Sequence, residues 1–418
     1  MDKCQSRRRR LCSIYTIILM FFCLNTCQSQ STSISKQLEY PGKCEVISKN
    51  MIYSYGSINS NGKIFSFVFT IIGEPYTDSD SILSYVYAFN DDCNRKNIYQ
   101  IEDNYLASPV YLCNAAGNNG EIYFVVGDRE QNKSYLFSIS DDAKLNWKVT
   151  LDGNNTCQGI ALGNDDTIYI HLNNSIFAVS AYGEIKWNLK NYIYEDGPYV
   201  GKNDDIIIIY YQSDLKSSYI SSISKEGLLK WSFKFGNNET PLIGAIGPSG
   251  NIYLSSRVDN GNEVSTYLSS FNTNGELIWN VLLGNEYLGT IGFLIGEDET
   301  IYTAGQGKHL IAIDSSDGSK KWTFEEIGNV DFIDGEGNVY YLSDKENVFN
   351  KEGKLLSIIE KPKDGVFHLW SLISGDYFIN FSNTKIYVYN AIGKKYSKLA
   401  WSMRHHDPQN TNRWNGGS

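Results

Sequence analysis

The chain has 418 residues, 42% hydrophobic and 20% charged, a globular composition that excludes a disordered protein. Its formal net charge of −10 repels phosphate backbones and argues against nucleic-acid binding. Tyr 30, Phe 19 and Trp 8 against Pro 8 and Met 4 favour strands, where aromatic side chains pack well.

The N-terminus reads as a targeting segment. Residues 7–10 are RRRR, an apolar run LCSIYTIILMFFCL fills 11–24, and the polar NTCQSQSTS follows. Basic, apolar and polar regions in that order predict a secretory signal over 1–26. The run is short of the ~20 apolar residues that a membrane-spanning helix needs, which disfavours the alternative of an uncleaved anchor. Leu24-Asn25-Thr26-Cys27 resembles a bacterial lipoprotein box and makes Cys27 the lipidation candidate, although Thr26 stands where that box prefers Ala, Ser or Gly. Residues 27–43 read as a polar tether. Beyond Cys27 lie Cys44, Cys93, Cys113 and Cys157, without metal-binding spacing. An exported chain permits disulfides among them, and buried free thiols are the alternative.

Two turn signals then alternate along residues 44–400. The first precedes a short aromatic or β-branched strand: NGKIF (61–65), NGEIYF (119–124), DDTIYI (165–170), DDIIII (204–209), SGNIYL (249–254), DETIYT (298–303), EGNVYYL (336–342) and GDYFI (375–379). The second lies further on and precedes another strand: NDDCNRKNIY (90–99), DDAKLNW (141–147), AYGEIKW (181–187), KEGLLKW (225–231), TNGELIW (273–279), SDGSKKW (316–322), KEGKLL (351–356) and AIGKKY (391–396). Gly, Asn and Asp supply the backbone geometry of tight hairpins. Each unit is therefore four antiparallel strands in about 45 residues, the size of one propeller blade. The expected fold is all-β, an eight-bladed β-propeller, with seven blades as the alternative. A sandwich would not require the same unit eight times.

Trp147, Trp187, Trp231, Trp279 and Trp322 fall at one place in five successive units. A blade cannot bury its two apolar faces alone, so these indoles are assigned to packing between blades.

On these residues the chain resembles the pyrroloquinoline-quinone-like propeller repeats. HLIAIDSSDGSKKW (309–322) is close to that family's pattern of alternating strand, Asp, Gly turn, Lys and Trp. The tail WSMRHHDPQNTNR (401–413) is similar to one seen in such proteins, with Ser402 and Asn412 where the family has Pro and Gly. The resemblance implies the propeller fold; function varies among quinone enzymes, assembly scaffolds and surface proteins. The quinone dehydrogenases have longer blades and calcium ligands, and none of those ligands maps onto this chain. No catalytic, cofactor-binding or metal residue is assigned, and no cofactor is expected.

Residues 401–418 read as a structural clasp. Adjacent His405 and His406 point to opposite sides of an extended segment, and with Asp407 they make a poor metal site. His171, His309 and His368 are scattered through different units. The acidic turns at 165–166, 204–205 and 297–299 lack the alternating ligand series of a calcium loop and read as hairpins. Three longer polar loops, 74–83, 212–219 and 256–267, emerge on one rim, with Tyr76, Tyr219 and Tyr267 as candidate binding residues.

The leading expectation is a non-enzymatic exported propeller, a protein-binding or scaffold module at a bacterial envelope. It is similar in signal, size and blade count to the propeller lipoproteins of outer-membrane barrel assembly. The alternatives are a pyrroloquinoline-quinone- and Ca²⁺-dependent oxidoreductase and a surface adhesin or carbohydrate-binding propeller.

Overall fold

A computed structural model describes the strands between residues 42 and 101, then 113–128, 133–152, 157–172, 174–285, 292–305, 309–343 and 345–359, the strands between 368 and 390, and Arg413. All belong to one compact unit, Lys36–Ser418. The leader, Cys27, Tyr76, Cys93, His405, His406 and Asp407 lie outside the described residues.

The described strands form eight four-stranded antiparallel sheets, seven of them built from four consecutive strands. The fourth sheet is representative: Ile193–Val200, Ile206–Gln212, Ser217–Ile223 and Leu229–Lys234. Short β-branched and aromatic runs separated by turn residues leave each strand only its sequence neighbour to pair with. First strands of successive sheets lie side by side, and the first strand of the eighth sheet meets that of the first. The fold is an all-β propeller, and each sheet is hereafter a blade, numbered in chain order.

The last blade departs from the sequence reading. Its first three strands are His368–Ser374, Tyr377–Ser382 and Lys385–Asn390. Its fourth is Gly42–Glu45, paired antiparallel from Gly42↔Val388 to Glu45↔Lys385. The strand expected after 391–396 lies outside the described residues. The N-terminal strand satisfies the open edge of Lys385–Asn390, and sheet structure starts within the segment read as the end of the tether.

Apolar burial is concentrated between blades. One cluster joins Phe65, Val86 and Ile101 of blade 1 to Phe124 and Phe137 of blade 2. Others join blades 2 and 3, 3 and 4, 4 through 6, and 6 and 7. Second strands are nearly all buried, whereas fourth strands alternate between exposed and half-buried positions. At ~25 cal/mol per Å² of apolar area removed from water, the seams are the main source of cohesion.

Candidate functional site

The five tryptophans occupy the fourth strands, and each indole reaches into the next blade. Trp147 Nε1 donates to the Ala181 carbonyl at 2.9 Å, Trp187 to Lys225 at 2.8 Å and Trp231 to Thr273 at 2.9 Å. Trp279 donates to Ser315 at 2.8 Å and Trp322 to Lys351 at 2.8 Å. Each acceptor sits in the turn between the third and fourth strands. The turn glycine rests on the ring: at Gly275, with φ of +80°, an added Cβ would lie 2.4 Å from Trp231. Tyr123, Tyr169, Tyr253 and Tyr302 pack on the Trp of their own blades at 5.8 to 6.0 Å.

The acidic turns are clasps between blades. Gly120, Gly250 and Gly337 have positive φ in the first hairpin of their blades; at the matching position blades 3, 4 and 6 carry Asp166, Asp204 and Glu299. Their carboxylates accept from the preceding blade. Asn118 N donates to Asp166 at 3.0 Å, Asn164 Nδ2 to Asp204 at 2.7 Å, and Ser249 N and Tyr253 Oη to Glu299. Within blades, Lys186 donates to Asp165 at 3.2 Å and Lys230 to Asp205 at 2.6 Å. The lysine before the Trp thus ties the outer strand to the inner hairpin. Burial raises the Asp166 carboxyl, opposed by the Asn118 amide and the Arg413 charge. Among the described residues no three His, Cys, Asp or Glu side chains converge as a metal site.

At the same rim, Arg413 is 6% exposed and donates to the Gly163 carbonyl at 3.1 Å and to Asn118 Oδ1 at 3.2 Å. Its backbone pairs with Val200. Arg413 therefore touches blades 2, 3 and 4. Cys113 and Cys157 form a disulfide that joins blades 2 and 3 beside their first strands. The side chain of Cys44 lies outside the described residues.

The most irregular innermost strand is Ile193–Val200 in blade 4, whose register shifts between Tyr194 and Asp196 and again before Tyr199. Gly197, with φ of +89°, and Pro198 sit in this bulge. The displaced Asp196 carboxylate accepts from Tyr194 Oη at 3.3 Å, from Tyr199 Oη, and from Gly244 N of blade 5 at 2.8 Å. It occupies an amide that an innermost strand otherwise leaves without a sheet partner. Burial, then Asp196, push the Tyr199 phenol well above its ordinary range. On the blade 3 side the fit is tighter still: a Cβ at Gly159 would stand 1.7 Å from the Gly197 carbonyl oxygen.

Two titratable groups flank the bulge. Glu195 Oε1 accepts from Ser218 Oγ at 2.8 Å, and its Oε2 has no hydrogen-bond donor. Burial lifts the carboxyl to about 7 against the pull of Ser218. His171 is fully buried with Nε2 2.7 Å from the Tyr192 carbonyl, so Nε2 carries the proton. Burial lowers the ring to about 4 and keeps it neutral. Tyr194 packs edge-on to this ring at 5.1 Å. Asp196 is held by three donors and serves structure; the second oxygen of Glu195 is buried without a hydrogen-bond donor.

The rim loops are shorter than the sequence reading. Strand pairing runs through their polar residues, leaving 213–216 between Ile206–Gln212 and Ser217–Ile223, and 260–263 between Ile252–Asp259 and Val264–Phe271. Ser and Thr interspersed with Tyr and Val fit the two central strands of a blade, so pairing continues where polarity had indicated loop. Tyr219 and Tyr267 are consequently half-buried strand residues. Tyr219 stacks on Tyr210 at 5.5 Å, and Tyr210 meets Tyr192 at 4.7 Å. His309 opens a third strand and is half-buried. Glu195 and Asp196 escaped the sequence reading, although E-D-G-P inside an otherwise apolar strand marks a break in alternation.

A family model described as the outer membrane protein assembly factor BamB matches residues 216–367. Residues 216–367 carry pyrroloquinoline-quinone-like propeller repeats. Among solved structures it is similar to the Dos1 propeller, with 10% identity over 87% of this chain and 97% of that one and a TM-score of 0.60. The designed protein Ika8 has 8% identity over 84% and 99%, with a TM-score of 0.54. BamB from Moraxella catarrhalis has 14% identity over 77% and 100%, with a TM-score of 0.49. No curated protein matches the sequence. At these identities the structural likenesses establish the fold alone.

Proposed function

We propose that this chain is an exported, non-enzymatic eight-bladed propeller that binds protein as a scaffold at a bacterial cell envelope. The observation that carries the reading is the match of residues 216–367 to a family described as an outer-membrane protein assembly factor. The eight sheets, and the contact between the first strands of the first and eighth, support a closed eight-blade ring. The acidic turns that could have suggested ion binding have their carboxylates engaged by neighbouring amides and lysines. The proposed leader, 1–26, would deliver the chain across a membrane, and lipid on Cys27 would tether it there.

The test is cross-linking of the full chain in envelope preparations, followed by affinity capture and identification of bound proteins. Recovery of envelope proteins by the wild type, lost on cytoplasmic expression without residues 1–26, is the expected result. Titration with pyrroloquinoline quinone and Ca²⁺ is the counter-test. Stoichiometric quinone uptake with oxidation of an alcohol or sugar would overturn the non-enzymatic reading. Palmitate labelling abolished by Cys27→Ala is expected for the anchor.

A further inference from the structure

A propeller leaves the fourth strand of every blade as an open edge, with unpaired amides and carbonyls that can template another strand. Lysine along such an edge opposes unwanted pairing. Most blades here follow that rule: Leu145–Asp152 carries Lys148, Ile185–Lys190 carries Lys186 and Lys190, Leu229–Lys234 carries Lys230 and Lys234, and Lys320–Ile327 opens with two lysines. The Arg95–Ile101 and Gly42–Glu45 edges are charged as well.

Blade 5 breaks the rule. Its outer strand, Leu277–Gly284, reads LIWNVLLG, eight residues without a charge. Leu277, Ile278 and Leu282 are 44%, 47% and 49% exposed. The other uncharged edge, Leu355–Ile359, has five residues and follows directly on Lys354. Carboxylates stand at both ends of the blade 5 strand. Exposed Glu276 precedes it, and exposed Asp259 and Glu263 flank the hairpin next to its far end, where Thr266 pairs with Gly284. The fold already fills one outer edge from a distant segment, since Gly42–Glu45 completes blade 8.

We propose that Leu277–Gly284 accepts, by strand addition, an extended apolar segment of a partner protein that carries Lys or Arg at its ends. Backbone hydrogen bonds supply affinity, Ile278 and Leu282 supply an apolar face, and the terminal carboxylates select basic flanks. A second copy of this chain fits worse, because each brings a net charge of −10 and the same acidic ends. The proposal deepens the binding-module reading and rests on it. An envelope capture tests the module, whereas a peptide tests this edge by itself.

The probe is a labelled peptide of alternating Val and Thr with paired lysines at each end, titrated by fluorescence anisotropy into the full chain. Saturable binding is expected, with slowed amide exchange confined to 277–284. Ile278→Lys with Leu282→Lys should weaken binding at least about tenfold. Leu229→Lys, on the edge of blade 4, should leave it unchanged. Both blade 5 positions are half exposed, so the double variant should fold, and exchange mapping on the wild type reads the site without any variant. Three results would overturn the proposal: no protection at 277–284, equal binding by the double variant, or a wild-type dimer in sedimentation that the double variant dissolves.

Discussion

Replacing Gly159 by Ala adds one methyl group at the closest approach of two innermost strands. That carbon would lie 1.7 Å from the Gly197 oxygen, 2.7 Å from the Gly197 carbonyl carbon and 2.9 Å from Pro198 Cδ. An ordinary carbon–oxygen contact is about 3.2–3.5 Å, so blades 3 and 4 would have to part by roughly 1.5 Å. The obstacle is backbone, and no rotamer can relieve it. Moving the bulge also disturbs Asp196 on Gly244, so strain reaches the seam with blade 5. Overpacking typically costs about 1–3 kcal/mol, and a rigid backbone clash places this variant at the upper end. Urea unfolding followed by Trp fluorescence measures the cost. Gly292→Ala is the control, because its added Cβ meets nothing within 4 Å. It should be neutral or stabilising by about 0.4–1 kcal/mol through the unfolded chain. A Gly159→Ala midpoint matching the wild type within error would refute the contact.

Three other outcomes follow from described contacts. Glu195 binds its proton more tightly folded than unfolded, so its contribution is fully present below about 4.5 and is lost as pH rises through about 7. Glu195→Gln should therefore gain in melting temperature over the wild type between pH 5 and pH 8, and a constant difference would refute the burial. Removing the Cys113–Cys157 crosslink, 44 residues apart in sequence, by paired Ala substitutions should cost about 2–4 kcal/mol, seen as a lower melting midpoint that dithiothreitol no longer shifts. Trp279→Phe keeps an aromatic ring but loses the bond to Ser315; a loss of about 1–2 kcal/mol in denaturant unfolding is expected, with no change in the circular dichroism of the strands.

The architecture was legible because the local signals agree: turn residues, alternation and the recurrent Trp all repeat with one period. The acidic turns were legible as hairpins, but not as clasps, because Asp166, Asp204 and Glu299 act on amides one repeat away. Loop lengths misled where polar Ser and Thr continue a strand, as around Tyr219 and Tyr267. Gly159 looked like any glycine, since a close approach is a property of two strands and is written in neither alone. The blade 5 edge becomes visible only when eight equivalent strands are superposed by the fold.

The strand Gly42–Glu45 gives the fold an order in time. During synthesis it emerges before the other described strands, yet its partner, Lys385–Asn390, is the last of them. Blades 1 to 7 can each form from contiguous chain as it appears, with local closure of short hairpins. The eighth must recruit a strand separated by nearly the whole sequence, the most expensive loop in the molecule to close. Completion of the ring is therefore the final cooperative step, and it requires both ends of the folded unit at once. A chain truncated at either end would hold most of its blades and still leave an unsealed sheet facing solvent.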